Sequence, residues 1–123
     1  MTNADRLGLW GAGLLADAML AEAFGYFIQA GERALMQCDV EGAKQNAISA
    51  LRISDTTPEG WDLAARAFLV DCDDKRAVQF ARKAVEVGPD NKRAELTLAA
   101  CLWQQAERAR INHEAVPQEN GNG

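Results

Sequence analysis

An all-α fold is predicted by three features of this 123-residue chain. Helix formers such as Ala, Leu, Glu, Gln and Arg are abundant and only three Pro occur, a balance that favours helix over strand. Apolar residues recur at spacings of three and four, beginning with Leu7, Trp10, Leu14 and Ala18. Shifting the chain against itself by 34 residues superposes Ala30 on Ala64, Leu35 on Leu69, Cys38 on Cys72, Asp39 on Asp73, Ala43 on Ala77, Gln45 on Gln79, Ala47 on Ala81 and Ala50 on Ala84, without a gap. One supersecondary unit used twice produces such self-similarity. The length implies one domain, which buries about two-thirds of the surface its unfolded chain exposes. The predicted domain spans residues 1–111 and a disordered tail takes 112–123.

The first element is a helix over residues 3–23. Leu15 and Met19 widen its apolar stripe, whereas Leu9 and Leu20 point to the opposite side, and a helix apolar nearly all round needs cover on two sides. Leu9, Trp10 and Leu20 therefore form a candidate oligomer surface, and a homodimer or a structural homo-oligomer built through this helix is one expectation. Gly8, Gly11 and Gly13 do not make a dinucleotide-binding loop, because no strand precedes them and their order is wrong for that turn. Leu7 to Leu15 followed by Ala16-Asp17-Ala18 superficially resembles a cleavable signal. Asp5, which offsets Arg6, and Asp17 argue against it. A membrane span needs about 20 apolar residues, and Asp17 and Glu22 interrupt this segment.

Two helical hairpins are expected next, over 24–57 and 58–91. Asp39 and Asp73 are placed to cap the second helix of each, after short turns at Cys38 and Cys72. Thr57 is a candidate N-cap with Pro58 at the first helical position and Glu59 beside the positive helix end. Small residues mark close helix approach, pairing Gly31 with Ala43 and Ala65 with Ala77. Phe27, Trp61 and Phe68 are expected to fill the space between one hairpin and the next. Gly88-Pro89-Asp90-Asn91 ends a helix and Asn91 starts the last one, over 92–111, which becomes polar after Trp103 as a terminal repeat requires.

Composition narrows the function. The formal net charge of -5 disfavours sequence-independent nucleic-acid binding, which needs a Lys/Arg face. Lys75, Arg76, Arg82 and Lys83 are interleaved with Asp71, Asp73, Asp74 and Glu86, the pattern of a solvated helix face. Cys38, Cys72 and Cys101 have no metal-ligand spacing and read as buried thiols of a reducing, cytoplasmic compartment. His113 is the sole His and lies at the tail. Asp71, Asp73 and Asp74 lack the glycine and the distal Glu of a calcium loop. No nucleophile, base and charge stabiliser converge, so neither catalysis nor a metal or cofactor is expected.

The 34-residue period and the residues from Pro58 to Pro89 resemble the tetratricopeptide repeat family. Trp61 stands at the Trp position, Ala64-Ala65 at Leu-Gly, Phe68 at Tyr, and Ala77, Ala81, Ala84 and Pro89 follow. The first repeat matches more loosely, with Phe27, Ala30-Gly31, Ala34, Ala43, Ala47, Ala50 and Asp55. The resemblance covers about residues 24–110. It implies a right-handed helical solenoid of two hairpins between an N-terminal and a C-terminal capping helix, and a concave groove that binds a peptide or helix of another protein. The implied groove residues are Ile28, Glu32, Leu35 and Met36, then Asp62, Arg66, Leu69 and Val70, then Leu96, Ala100 and Trp103. A carboxylate clamp of Lys, Arg and Asn, found in some members, is absent at Ile28, Glu32, Asp62 and Arg66. The layout is also similar to small bacterial secretion chaperones, which are acidic and carry an N-terminal helix before such repeats. The expected role is a non-catalytic adaptor or chaperone, with an export chaperone as the narrower alternative.

Overall fold

Helix boundaries fall where the sequence supplies caps and turns. The computed structural model describes the backbone of residues 3–121 and the side-chain surroundings of residues 13–114. Five helices make up the chain: α1 (Asn3–Met36), α2 (Val40–Ile53), α3 (Pro58–Val70), α4 (Asp74–Val87) and α5 (Lys92–Gly121), with no strand among the described residues. Asp39 accepts a hydrogen bond from the Gly42 N–H at 3.0 Å and Asp73 one from Arg76 N–H at 3.2 Å. Asn91 Oδ1 does the same for Ala94 N–H at 2.9 Å. Each satisfies a first-turn donor that is otherwise orphaned, worth about 1 kcal/mol. Thr57 occupies the N-cap of α3 but its side chain makes no capping bond there. Pro58, which has no N–H to satisfy, and the carboxylate of Glu59 serve that helix end instead.

The two interhelical turns are the same structure repeated. Asp39 N–H reaches Ala34 C=O and Cys38 N–H reaches Leu35 C=O; Asp73 and Cys72 make the equivalent bonds to Phe68 and Leu69. This crossed pair is the Schellman motif, which needs a left-handed residue just past the helix. Cys38 and Cys72 take that role, with φ of 58° and 63°. Both are exposed, and only Cys101 of the three thiols is buried. The expectation of three buried cysteines is thus corrected, because turn geometry holds two of them at the surface.

Two boundaries differ from those predicted. Helix α1 runs unbroken through residue 24, since Gly25 costs only about 1 kcal/mol in a helix interior and no Pro is present to end the helix. Helix α5 passes Ile111 and reaches Gly121, where a tail was expected from residue 112. Arg110 pairs with Glu107 at 3.0 Å and with Glu114 at 2.8 Å, one turn to either side, and carries the helix past that point.

Consecutive helices pack together, and α3 also touches α1 and α5. Alanine makes this possible. Ala43, Ala47, Ala50, Ala64, Ala65, Ala67, Ala77, Ala81, Ala84 and Ala94 are fully buried, and Leu63 and Cys101 are the largest side chains buried to that degree. Ala65 and Ala77 share one cluster with Phe68, Val78, Ala81 and Cys101. Ala43 instead packs with Ala34 and Ala67. Gly31 also makes a close approach to the next hairpin: a Cβ there would lie 2.5 Å from Leu63 Cδ2. Gly88 likewise admits Pro58, whose Cγ would be 2.6 Å from an added Cβ.

The aromatic residues divide between the two jobs. Phe68 stacks on Phe80 of α4 at 5.1 Å, inside its own hairpin, and Phe80 meets Trp61 at 6.0 Å. Trp61 spans the hairpin junction, its indole N–H donating to Asp55 C=O at 2.9 Å. Phe27 lies edge-on to Tyr26 at 5.6 Å.

Candidate functional site

The face shared by α1, α3 and α5 is tied together by charge. Arg66 Nη1 donates to Glu32 Oε2 at 2.8 Å, and its Nη2 donates to the other oxygen of the same carboxylate, a two-pronged contact between α1 and α3. Its Nε donates to Asp62 Oδ2 at 2.9 Å, one turn earlier on α3. Arg93 at the start of α5 reaches Asp62 at 3.4 Å and Glu32 at 3.6 Å. Two carboxylates and two guanidinium groups therefore alternate across three helices. Glu32 and Arg66 are 34 residues apart, so the contact joins α1 to α3 across a long stretch of sequence.

Burial sharpens these interactions. Asp62 is only 4 % exposed, and its Oδ1 has no hydrogen-bond partner among the described residues. The hydrogen bonds from Arg66 hold the Glu32 carboxyl below its ordinary value of 4.5, against a smaller opposing effect of burial. Burial works against the Arg66 cation, yet Glu32 and Asp62 outweigh it and raise its value. Below this network, burial followed by the charges of Asp62 and Asp74 pushes the Cys101 thiol up to about 11. At neutral pH it is a packed thiol, not a thiolate nucleophile.

A notch of about 130 Å³ opens over the network. Ile28, Glu32, Asp62 and Arg66 line it as the predicted groove residues, together with Pro58, Glu59, Asn91 and Arg93. The last four were not assigned from sequence. Extending the 34-residue spacing from Gly25 lands on Glu59 and then Arg93, so two of them were marked by the repeat itself.

The remaining groove residues separate into floor and rim. Ile28, Leu35 and Leu69 are half-buried and pack against the core clusters, so they support the surface instead of forming it. Met36 and Val70 are exposed one turn beyond Glu32 and Arg66. On α5, Leu96 is 70 % and Trp103 is 64 % exposed, with Ala100 exposed between them. Exposed Trp and Leu on α5, exposed Met36 on α1 and exposed Val70 on α3 leave apolar area uncovered.

The other predicted surface falls on α1, where Leu20 is exposed. Leu9 and Trp10 lie outside the residues whose side chains are described. Among the described residues, no three His, Cys, Asp or Glu side chains are placed to hold a metal ion. No helix among them is long and apolar enough to cross a membrane. No protein-family model matches the chain, and no curated protein shows significant similarity to it.

Proposed function

We propose that this chain is a non-catalytic protein-interaction module of tetratricopeptide-like build, which holds an amphipathic helix or an apolar extended segment of another protein across α1, α3 and α5. The observation that carries the reading is the exposure of Met36, Val70, Leu96 and Trp103 on the three helices that the Glu32, Asp62, Arg66 and Arg93 ion pairs tie together. Large aromatic and aliphatic side chains beside a settled polar network are what a partner helix uses as anchor sites. Identical Schellman turns one repeat apart and the Glu32–Arg66 contact between equivalent positions support the repeat reading. Arg66 is engaged by Glu32 and Asp62, so a free C-terminal carboxylate is a poor ligand for this face.

Comparative capture tests the proposal. The wild-type chain, Leu96→Asp/Trp103→Ala and the α4 control Arg82→Glu are each immobilised, and retained proteins are quantified by mass spectrometry. The proposal expects at least one protein held by the wild type and the control and lost from the double variant. Retention that is the same on all three surfaces contradicts it.

A further inference from the structure

Helix α1 is much longer than anything packed beside it. It has 34 residues, whereas its antiparallel neighbour α2 has 14. About 20 residues therefore overhang the hairpin, an arm roughly 30 Å long at 1.5 Å per residue. Burial follows the same division: every residue from Gly13 to Glu22 is exposed, and partial burial begins at Ala23. Within the exposed stretch Leu14, Leu15, Met19 and Leu20 are each more than half accessible, and a Cβ added at Gly13 meets nothing within 4 Å. The charged residues there are Asp17 and Glu22.

The apolar residues point two ways. Leu14 with Ala18, and Leu15 with Met19, stand one turn apart along one side of the arm. Leu20 faces away from that stripe, toward the body. There Leu20, Ala21 and Phe24 of α1 meet Ile53, Ser54 and Thr57 around a second notch of about 270 Å³. The hydroxyl of Thr57 lines this notch and is buried without a partner among the described residues. An arm apolar on two sides, beside a half-built pocket at its own root, is covered by something of similar length and chemistry.

We propose that this cover is a second copy of the chain: two α1 arms pair antiparallel along the stripe of Leu14, Leu15, Ala18 and Met19. Area supports the assignment. A helix 10–12 Å across and roughly 30 Å long offers a side wall of roughly 1,000 Å². Covering half of it on each copy buries about 1,000 Å² in total, the lower bound of a specific interface. Charge selects the direction. Parallel arms set Asp17 against Asp17 and Glu22 against Glu22, whereas antiparallel arms centred on Leu14 and Leu15 separate these like charges. The consequence reaches the proposed partner-binding face: the surface of Glu32, Asp62 and Arg66, beyond the arm, stays free on each copy, so the assembly is a bivalent binder. A partner with two matching segments, or two partners side by side, gains effective concentration over a single groove.

Light scattering of the full chain at micromolar concentration tests this. The wild type is expected at twice the 13.3 kDa chain mass. Leu15→Glu/Met19→Glu, which buries carboxylates in the pairing seam, is expected at one chain mass, with dimer affinity weakened about a hundredfold or more. These positions touch nothing in the body, and Glu is a good helix former, so circular dichroism and the unfolding midpoint of the body stay unchanged. A wild-type chain that scatters as a monomer overturns the proposal, including one that instead sediments with phosphatidylcholine vesicles. So does a dimer that survives Leu15→Glu/Met19→Glu but dissociates with Leu96→Asp/Trp103→Ala. The capture experiment reads α5 and stands or falls separately.

Discussion

Replacing Gly31 by Ala places a methyl group against Leu63, and the sign of the effect should depend on whether Leu63 is there. A Cβ at position 31 would lie 2.5 Å from Leu63 Cδ2, 3.2 Å from Cγ and 3.3 Å from Cδ1. Leu63 is completely buried among Ala47, Ala64 and the side chains packed on them, so it has no open rotamer to retreat into. Overpacking of this kind costs about 1–3 kcal/mol. The same change relieves a helix-interior glycine, a gain of about 0.5–1 kcal/mol. The net expectation is a loss of up to roughly 2 kcal/mol in the Leu63 background.

Leu63→Ala alone should cost about 2–5 kcal/mol through lost burial and the cavity left behind. In that background the clash is gone, and Gly31→Ala should stabilise, by about 1 kcal/mol, through helix propensity and partial filling of the gap. Urea unfolding of the wild type, both single variants and the double variant measures the coupling. A Gly31→Ala effect of the same sign and size in both backgrounds would refute the close approach of α1 to α3, and with it the shared face.

Three further outcomes follow from the same coordinates. Arg66→Ala strands the buried Asp62 carboxylate with only the longer Arg93 contact, and should cost about 2–3 kcal/mol, lowering the melting temperature by roughly 10 °C. The Glu32 carboxyl is held below its ordinary value of 4.5, so its contribution is complete above that pH and is lost as the pH falls through the lower folded value. The stability difference between wild type and Glu32→Gln should accordingly be constant near neutrality and shrink below pH 4.5, as followed by thermal unfolding. Cys38→Gly and Cys72→Gly remove side chains from left-handed turn positions and should each stabilise by about 0.5–1 kcal/mol; a loss of stability in both would count against the turn geometry.

The hairpins and their caps were legible because local chemistry and the repeat agree at the same positions: Asp39 and Asp73 cap, Asn91 caps, and buried alanines recur where the 34-residue shift superposes them. Where one residue type serves two purposes, sequence reasoning divided wrongly. Cys38 and Cys72 matched across the shift and read as core, yet they match because both complete a Schellman turn. Gly31 signalled close approach, but the approach to Leu63 of α3 was not foreseen, since both α2 and α3 flank α1. Gly25 gives no local sign that a helix should continue through it.

The candidate face was half visible. The family resemblance implied Ile28, Glu32, Asp62 and Arg66, which line the notch, but not Glu59 and Arg93, which line it too. It could not tell the exposed rim of Met36, Val70 and Trp103 from the half-buried Ile28, Leu35 and Leu69, because that depends on how far apart the first helices of neighbouring units stand. Alanine at the contacts and glycine at position 31 bring them close, and the aliphatic residues between them sink inward.

Oxidative footprinting of the chain alone and with a captured protein tests the proposed partner-binding face most directly. Met36 and Trp103 are exposed and readily oxidised, and they lie on α1 and α5 of that face. Protection of both on complex formation, with the exposed outer residues of α4 such as Gln79 and Arg82 unchanged, is the predicted result. Protection confined to α2 and α4, with Met36 and Trp103 still fully reactive, would contradict it.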